Sequence, residues 1–136
     1  MKRTPLLNRH LSTLVASLGH LDEIVVADAG LPVPGGVAVI DLAVSPGVPR
    51  LRDVLAALRS ELVIEQAVWA DEASETVCGV MQAEMDLWRD QTGPSIETSR
   101  LPHEAFKQRS ASARAIIRTG ETTPYANILL VSGVAF

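Results

Sequence analysis

The feature that most constrains the fold is a series of short apolar runs, separated from one another by turns or by helical patterns. The clearest run is IVVA at 24–27, where three of the four residues are β-branched. A strand that is buried on both faces, as in a parallel sheet, has such a pattern because neither set of alternating side chains meets water. Further strands are predicted at 37–44, 62–69, 95–98, 115–118 and 128–131.

Helical periodicity occupies most of the intervals between these runs. A first helix, with Gly19 at its end, is predicted by an apolar stripe at helical spacing that consists of Leu7, Leu11, Leu14, Val15 and Leu18. Strands that alternate with helices indicate the α/β class, here a three-layer α/β/α sandwich with a largely parallel central sheet. Three more helices are predicted. The second helix follows Pro49 and has the apolar face Leu51, Val54, Leu55 and Leu58. The third contains the apolar stripe Val77, Met81, Met85 and Trp88, and the fourth covers 102–108.

Length, charge and cysteine content limit the possible functions. The 136 residues fit a single domain spanning 1–136. The net charge of −4 argues against a nucleic-acid partner, which would require a basic face. The single cysteine, Cys78, excludes an intrachain disulfide, and there is neither a signal-peptide block nor an apolar stretch of membrane-helix length. We therefore expect a cytoplasmic protein that does not bind a membrane.

Familiar cofactor and metal motifs are absent. DAGLPVPGG at 28–36 has neither the glycine spacing of a dinucleotide-binding loop nor the lysine of a phosphate-binding loop. One cysteine and three scattered histidines do not form a zinc-ligand motif, and no nucleophile elbow occurs. We therefore expect neither a cofactor nor a metal ion.

The clearest strand ends at Asp28. Ligands of open α/β sheets gather at the carboxyl ends of the strands, where this carboxylate could accept hydrogen bonds from two neighbouring sugar hydroxyls. The alternative is that Asp28 only organises the following turn, as aspartate often does.

Two of the three histidines lie beside predicted helix ends. His20 follows the first helix, and His103 begins the predicted segment after Pro102. Histidine exchanges protons readily near neutral pH, so both are candidates for acid–base chemistry. Each histidine taken alone is better explained as a solvated residue, and His10 is assigned to a solvated helix face.

The turn before the last strand contains three further candidates. Tyr125, the only tyrosine, can cover the apolar face of a sugar, and the carboxamide of Asn127 can donate to and accept from hydroxyls. The alternative is a tyrosine that anchors a turn and an asparagine that caps one. Glu121 is either a turn residue or an ion-pair partner of Arg118.

Three segments taken together resemble a known family. LGHLDEIVVADAGLP from Leu18, HEAFKQ from His103 and IRTGETTPYANILLVSGVAF from Ile117 resemble the D-ribose pyranase family. The related L-fucose mutarotase family shares the fold but typically has a different run after the strand-end aspartate. The run AGLPVP therefore favours the ribose branch.

The resemblance implies an intramolecular isomerase that interconverts the pyranose and furanose forms of D-ribose without a cofactor. It also implies a ring-shaped homo-oligomer, commonly a decamer of two stacked pentamers, with sites near subunit contacts. In this family pattern His20 is the catalytic proton donor. The implied sugar-binding residues are Asp28, His103, Tyr125, Ala126 and Asn127, and Lys107 is a weaker candidate.

The chemistry of ring opening agrees with that implication. A proton must leave the anomeric hydroxyl and another must reach the ring oxygen, which requires positioned acid–base groups rather than a redox carrier. Two alternatives stay open: a fucose-type mutarotase that exchanges anomers, and a non-catalytic sugar-binding module. The sequence also leaves open which histidine is the acid and which is the base.

Overall fold

The computed structural model describes residues 1–136 and contains six strands and four helices. The strands are β1 (Glu23–Ala27), β2 (Ala38–Asp41), β3 (Ile64–Ala70), β4 (Glu97–Leu101), β5 (Ala115–Arg118) and β6 (Ile128–Ser132). The helices are α1 (Arg9–Ser17), α2 (Leu51–Arg59), α3 (Glu75–Thr92) and α4 (His103–Ser110). None of the helices combines the length and apolar character needed to cross a membrane.

The six strands form one sheet in the order β2-β5-β1-β6-β3-β4. All neighbouring strands are parallel except where β6 pairs with β1 and with β3. A parallel crossover needs about a dozen residues. Only residues 119–127 lie between β5 and β6, so the chain turns back and β6 runs antiparallel. The prediction of a largely parallel sheet is confirmed, with one reversed strand near its centre.

Both faces of the sheet are covered, as the continuous apolar runs predict. In β1, Ile24 and Val26 join a core of 24 buried residues that includes side chains of α1, α2 and α3. Val25 and Ala27 join a core of 9 residues on the opposite face, where α4 contributes Phe106. The predicted three-layer α/β/α sandwich is therefore confirmed, with three helices on one face and one on the other.

The first helix begins later than its leucine stripe predicts. The Asn8 side chain accepts hydrogen bonds from the amides of His10 and Leu11 and caps the helix at that point. Leu7 therefore lies outside α1 and is exposed, whereas its neighbour Leu6 is fully buried. His10 is exposed, as expected of a solvated face.

Two predicted strands also shift at their ends. The predicted strand 37–44 is shortened to β2, because β5 offers only four residues for pairing. The predicted strand 95–98 moves to β4, where it pairs in parallel with β3.

Strand direction determines where loops can meet. Five strands run the same way, so their carboxyl ends lie along one side of the sheet, which we call the carboxyl edge, opposite the amino edge. The segments after β1, β3, β4 and β5 all emerge at the carboxyl edge, and the antiparallel β6 starts there.

Candidate functional site

A cavity of about 500 Å³ opens at the carboxyl edge. This volume lies within the range of small-molecule sites, about 300–1,000 Å³. Four of the six residues that the sequence singled out for the sugar and the proton transfer line it: Asp28, His103, Tyr125 and Asn127. They come from the loop after β1, the start of α4 and the turn before β6, so the topology brings distant parts of the sequence together.

Asp28 and Asn127 form the floor of this cavity as a reciprocal pair. The amide of Asp28 donates to Oδ1 of Asn127 over 2.8 Å, and Nδ2 of Asn127 donates to Oδ2 of Asp28 over 3.1 Å. The register that pairs Val26 with Ile128 places the two residues next to each other. Oδ1 of Asp28 also accepts from the Gly30 amide over 2.9 Å, so Asp28 both organises its turn and lines the cavity.

His103 and Tyr125 form one wall. Their rings meet edge to face, with centroids 5.0 Å apart and planes at 84°. Nδ1 of His103 is buried without a hydrogen-bond partner, which leaves Nε2 as the ring nitrogen that can reach a ligand. The main-chain amide of His103 donates to both carboxylate oxygens of Glu72, at 2.9 and 3.2 Å. Glu72 therefore fixes the start of α4, a role that its sequence position did not reveal.

The Tyr-Ala-Asn run divides between the cavity and the core. Tyr125 has a φ of 61°, the left-handed conformation that non-glycine residues adopt at a cost of about 1–3 kcal/mol when the surroundings enforce it. Tyr125 is 36% exposed and lines the cavity, whereas Ala126 is 3% exposed and packs into the larger core. The side chain of Ala126 therefore does not face the cavity, and only its main chain could contact a ligand there.

His20 lies away from the cavity. It precedes β1, while Asp28 follows it, and the five residues of β1 span about 17 Å. At the amino edge, Nε2 of His20 lies 3.0 Å from a carboxylate oxygen of Glu65, and the His20 side chain is 50% exposed. The predicted proton donor and the predicted sugar-binding residues are therefore at opposite edges of one subunit.

The remaining candidates are also placed by the structure. Lys107 pairs with Glu104 at 2.7 Å and does not line the cavity. Arg118 pairs with Asp41 at 3.1 Å rather than with Glu121. Glu121 instead lines the cavity and accepts hydrogen bonds within its turn, which agrees with the turn alternative. No group of three or more histidine, cysteine, aspartate or glutamate side chains is arranged to hold a metal ion.

Comparison with known proteins places this chain in a family. The model of the RbsD / FucU transport protein family matches residues 1–135. The chain is 49% identical to the D-ribose pyranase of Paracidovorax citrulli (strain AAC00-1), over the full length of both chains. Among solved structures, it matches Bacillus subtilis RbsD complexed with D-ribose with a TM-score of 0.86 and 42% identity, with 100% of both chains covered.

A second solved structure is more distant. The fucose mutarotase of Streptococcus pneumoniae, in complex with L-fucose, is 26% identical with a TM-score of 0.77 and covers 98% of this chain and 99% of its own. The full-length family match and the relatives at close to half identity lead to the same conclusion: this chain belongs to the RbsD / FucU transport protein family.

Proposed function

We propose that the chain is a D-ribose pyranase, a single-domain isomerase over residues 1–136 that interconverts the pyranose and furanose forms of D-ribose without a cofactor. The main support is the cavity at the carboxyl edge, which Asp28, His103, Tyr125 and Asn127 line, in a chain that is 49% identical over its full length to a D-ribose pyranase. The match to a structure that contains D-ribose supports the choice of sugar.

Each cavity residue has a group suited to a sugar ring. The carboxylate of Asp28 accepts hydrogen bonds from hydroxyls, and Asn127 holds that carboxylate in place. Nε2 of His103 can exchange hydrogen bonds with a hydroxyl, and the ring of Tyr125 offers an apolar face. We propose Asp28, His103, Tyr125, Asn127 and the main chain of Ala126 as the sugar-binding residues.

We further propose that His20 from a neighbouring subunit completes the site. His20 is half exposed and lies too far from the cavity of its own subunit to reach the same sugar. The Glu65 carboxylate, 3.0 Å from Nε2, orients the ring for proton transfer to the ring oxygen. Such a site requires a homo-oligomer with a head-to-tail contact, as in a ring, and we propose a decamer of two pentamers.

The reaction then needs only proton movement. His20 delivers a proton to the ring oxygen as the C–O bond of the hemiacetal breaks, and the anomeric hydroxyl gives its proton to Nε2 of His103 as the carbonyl forms. Closure through a different hydroxyl reverses these transfers and produces the other ring size. A positioned acid–base group contributes about 10²–10⁴-fold in rate.

Saturation-transfer NMR on D-ribose tests the proposal. Catalytic amounts of protein are expected to speed exchange between pyranose and furanose signals. Parallel samples of L-fucose and D-galactose test the second candidate, a fucose-type mutarotase, which the 26% identical fucose mutarotase favours. Exchange of fucose anomers alone would overturn the ribose assignment, and D-ribose binding without faster exchange would indicate a non-catalytic module.

A cytoplasmic location is also part of the proposal. Its support is the free thiol of Cys78, the only cysteine, which suits a reducing compartment. Fractionation of cells that express the chain tests this point, and recovery outside the cytoplasm would contradict it.

A further inference from the structure

Glu121 connects the floor of the cavity to the wall that contains Tyr125, through its main chain and its side chain. Its carbonyl oxygen accepts from the Ala29 amide over 2.8 Å, directly after Asp28. Its side-chain Oε1 accepts from both the amide and the hydroxyl of Thr123, at 3.2 and 2.8 Å. Thr123 is the first residue of the short turn that contains Tyr125. One residue therefore joins the Asp28 side of the cavity to the Tyr125 side.

The second carboxylate oxygen anchors this turn to a helix. Oε2 of Glu121 accepts from the amide of Leu51, the first residue of α2, over 3.3 Å. An amide in the first turn of a helix has no partner within the helix, so it is free to donate to such an acceptor. The turn is thus fixed from outside by α2, 70 residues away in the chain.

The upstream end of the turn is fixed as well. The amide of Glu121 donates to the Thr119 hydroxyl over 3.1 Å. Thr119 is fully buried and donates to the Ala27 carbonyl through both its amide and its hydroxyl, at 2.9 and 2.8 Å. This chain of hydrogen bonds leaves little freedom between the end of β1 and Glu121.

The geometry points to Glu121 as a positioning residue: its carboxylate holds the Thr123–Tyr125 turn against α2, so that Tyr125 keeps its left-handed backbone and its place over the sugar. The inference rests on the proposed function, because it assigns a role in the same sugar site. The backbone of Tyr125 is costly on its own, and such conformations persist only where neighbouring contacts enforce them. The Ala126 amide closes the turn around Tyr125 by donating to the Thr123 carbonyl over 3.3 Å. The hydrogen bonds from Thr123 and Leu51 to the Glu121 carboxylate hold this turn in place.

The charge state of Glu121 agrees with this role. Partial burial acts to raise its pKa, but hydrogen bonds from the Thr123 hydroxyl and from the amides of Thr123 and Leu51 outweigh burial and leave the pKa below its ordinary value. The carboxylate is therefore ionised at neutral pH and offers acceptors on both oxygens. The Leu51 amide and the Thr123 amide and hydroxyl all donate to this carboxylate. A glutamine at this position would replace one of the two oxygens with an NH₂ group, which would face donors instead of accepting from them.

The test compares Glu121→Gln with a matched control, Asp53→Asn. Like Glu121, Asp53 has a carboxylate that accepts a hydrogen bond from a main-chain amide at the start of α2, in this case the Arg50 amide over 2.9 Å. Unlike Glu121, Asp53 does not line the cavity. Both variants weaken the start of α2, and only Glu121→Gln disturbs the turn. Glu121→Gln is expected to raise the half-saturation concentration for D-ribose about tenfold, the cost of one charged hydrogen bond. Asp53→Asn is expected to leave it unchanged.

A second measurement separates positioning from direct contact with the sugar. Tyr125 is the only tyrosine, so incorporation of fluorotyrosine gives one fluorine NMR signal. Without any sugar present, Glu121→Gln is expected to shift or broaden this signal and Asp53→Asn to leave it in place. An unmoved signal in Glu121→Gln, or an equal change in Asp53→Asn, would overturn the inference. If Glu121→Gln does not fold, Thr123→Val removes the hydroxyl donor alone and is expected to change the signal in the same way.

The outcome also distinguishes this inference from the proposed function. Absence of D-ribose exchange in the unmodified protein would contradict the proposed function. Normal exchange and normal half-saturation in Glu121→Gln, with an unchanged fluorine signal, would contradict the role of Glu121 alone.

Discussion

Asp28 and Asn127, 99 residues apart in the chain, exchange two hydrogen bonds across the carboxyl ends of β1 and β6, at 2.8 and 3.1 Å. Asn127 is only 2% exposed, and its amide group makes both hydrogen bonds of this pair. The pair holds a carboxylate at the floor of the cavity while leaving it able to accept further hydrogen bonds. The pair requires an amide side chain at Asn127, because this side chain must donate to the Asp28 carboxylate and accept from the Asp28 main-chain N–H.

Replacing that amide is expected to damage the site. Asn127→Asp removes the Nδ2 donor and places a second carboxylate against Asp28. The expected loss is about 1–3 kcal/mol in the free energy of unfolding, from the buried group left unpaired, together with a large rise in the half-saturation concentration for D-ribose. Denaturant unfolding and the NMR exchange assay measure the two effects.

Asn8→Asp is the matched control for this change. Asn8 caps α1, and aspartate serves as well as asparagine at that position. We expect a change in unfolding free energy within about 0.5 kcal/mol and unaltered ribose exchange. If Asn127→Asp behaved like Asn8→Asp, the pair would have no part in shaping the site.

His20 gives a prediction of a different kind, because it lies at the opposite edge of the sheet. His20→Ala is expected to slow ring exchange about 10²–10⁴-fold while the subunit still folds. His10→Ala, an exposed histidine within α1, is expected to leave the rate unchanged. Both rates follow from saturation-transfer NMR on D-ribose.

Mixing His20→Ala with His103→Ala, each of which is expected to lose most of the ring-exchange activity, tests whether His20 acts across a subunit contact. Hybrid oligomers of His20→Ala and His103→Ala subunits contain some sites with both histidines intact, roughly a quarter of all sites for random mixing around a head-to-tail ring. Activity is therefore expected to return on mixing. No recovery in oligomers that demonstrably contain both subunits would place the two histidines in the site of one subunit.

The opposite positions of His20 and Asp28 follow from information already in the sequence. His20 precedes the predicted strand at 24–27 and Asp28 follows it, and a strand of four residues separates its two ends by about 13 Å. The fold class was likewise predictable, since the run at 24–27 is apolar at every position and is buried on both faces. Both features could be predicted because each depends only on residues that are adjacent in the sequence.

Contacts between distant segments could not be predicted in the same way. In the sequence, Glu65, Glu72 and Glu121 cannot be told from other charged surface residues. The fold brings Glu65 to His20, Glu72 to the His103 amide and Glu121 to the Leu51 amide. The place of β6 between β1 and β3 is a similar case. Its apolar run predicts a buried strand but does not identify the neighbours.

Glu72 offers a prediction about the His103 wall. Glu72→Ala leaves the first amide of α4 without its acceptor, which costs about 0.5–2 kcal/mol for a lost cap. Because that amide belongs to His103, the half-saturation concentration for D-ribose is expected to rise about fivefold, equivalent to about 1 kcal/mol. Ser74→Ala removes the comparable cap of α3, at the Val77 amide, and is expected to lower the melting temperature without changing ribose affinity. Equal ribose affinities in the two variants would show that Glu72 stabilises the fold only.

The lowered pKa of Glu121 predicts how its contribution to stability varies with pH. A carboxyl group whose pKa is lower in the folded state than in the unfolded state stabilises the fold above the unfolded value, and that contribution is lost as the pH falls through the folded value. The unmodified protein is therefore expected to exceed Glu121→Gln in unfolding free energy at neutral pH. The difference is expected to shrink as the pH falls below the ordinary glutamate pKa of about 4.3. Urea unfolding of both proteins at neutral and acidic pH measures it, and a difference that stayed constant or grew on acidification would mean that the carboxylate charge does not hold the turn.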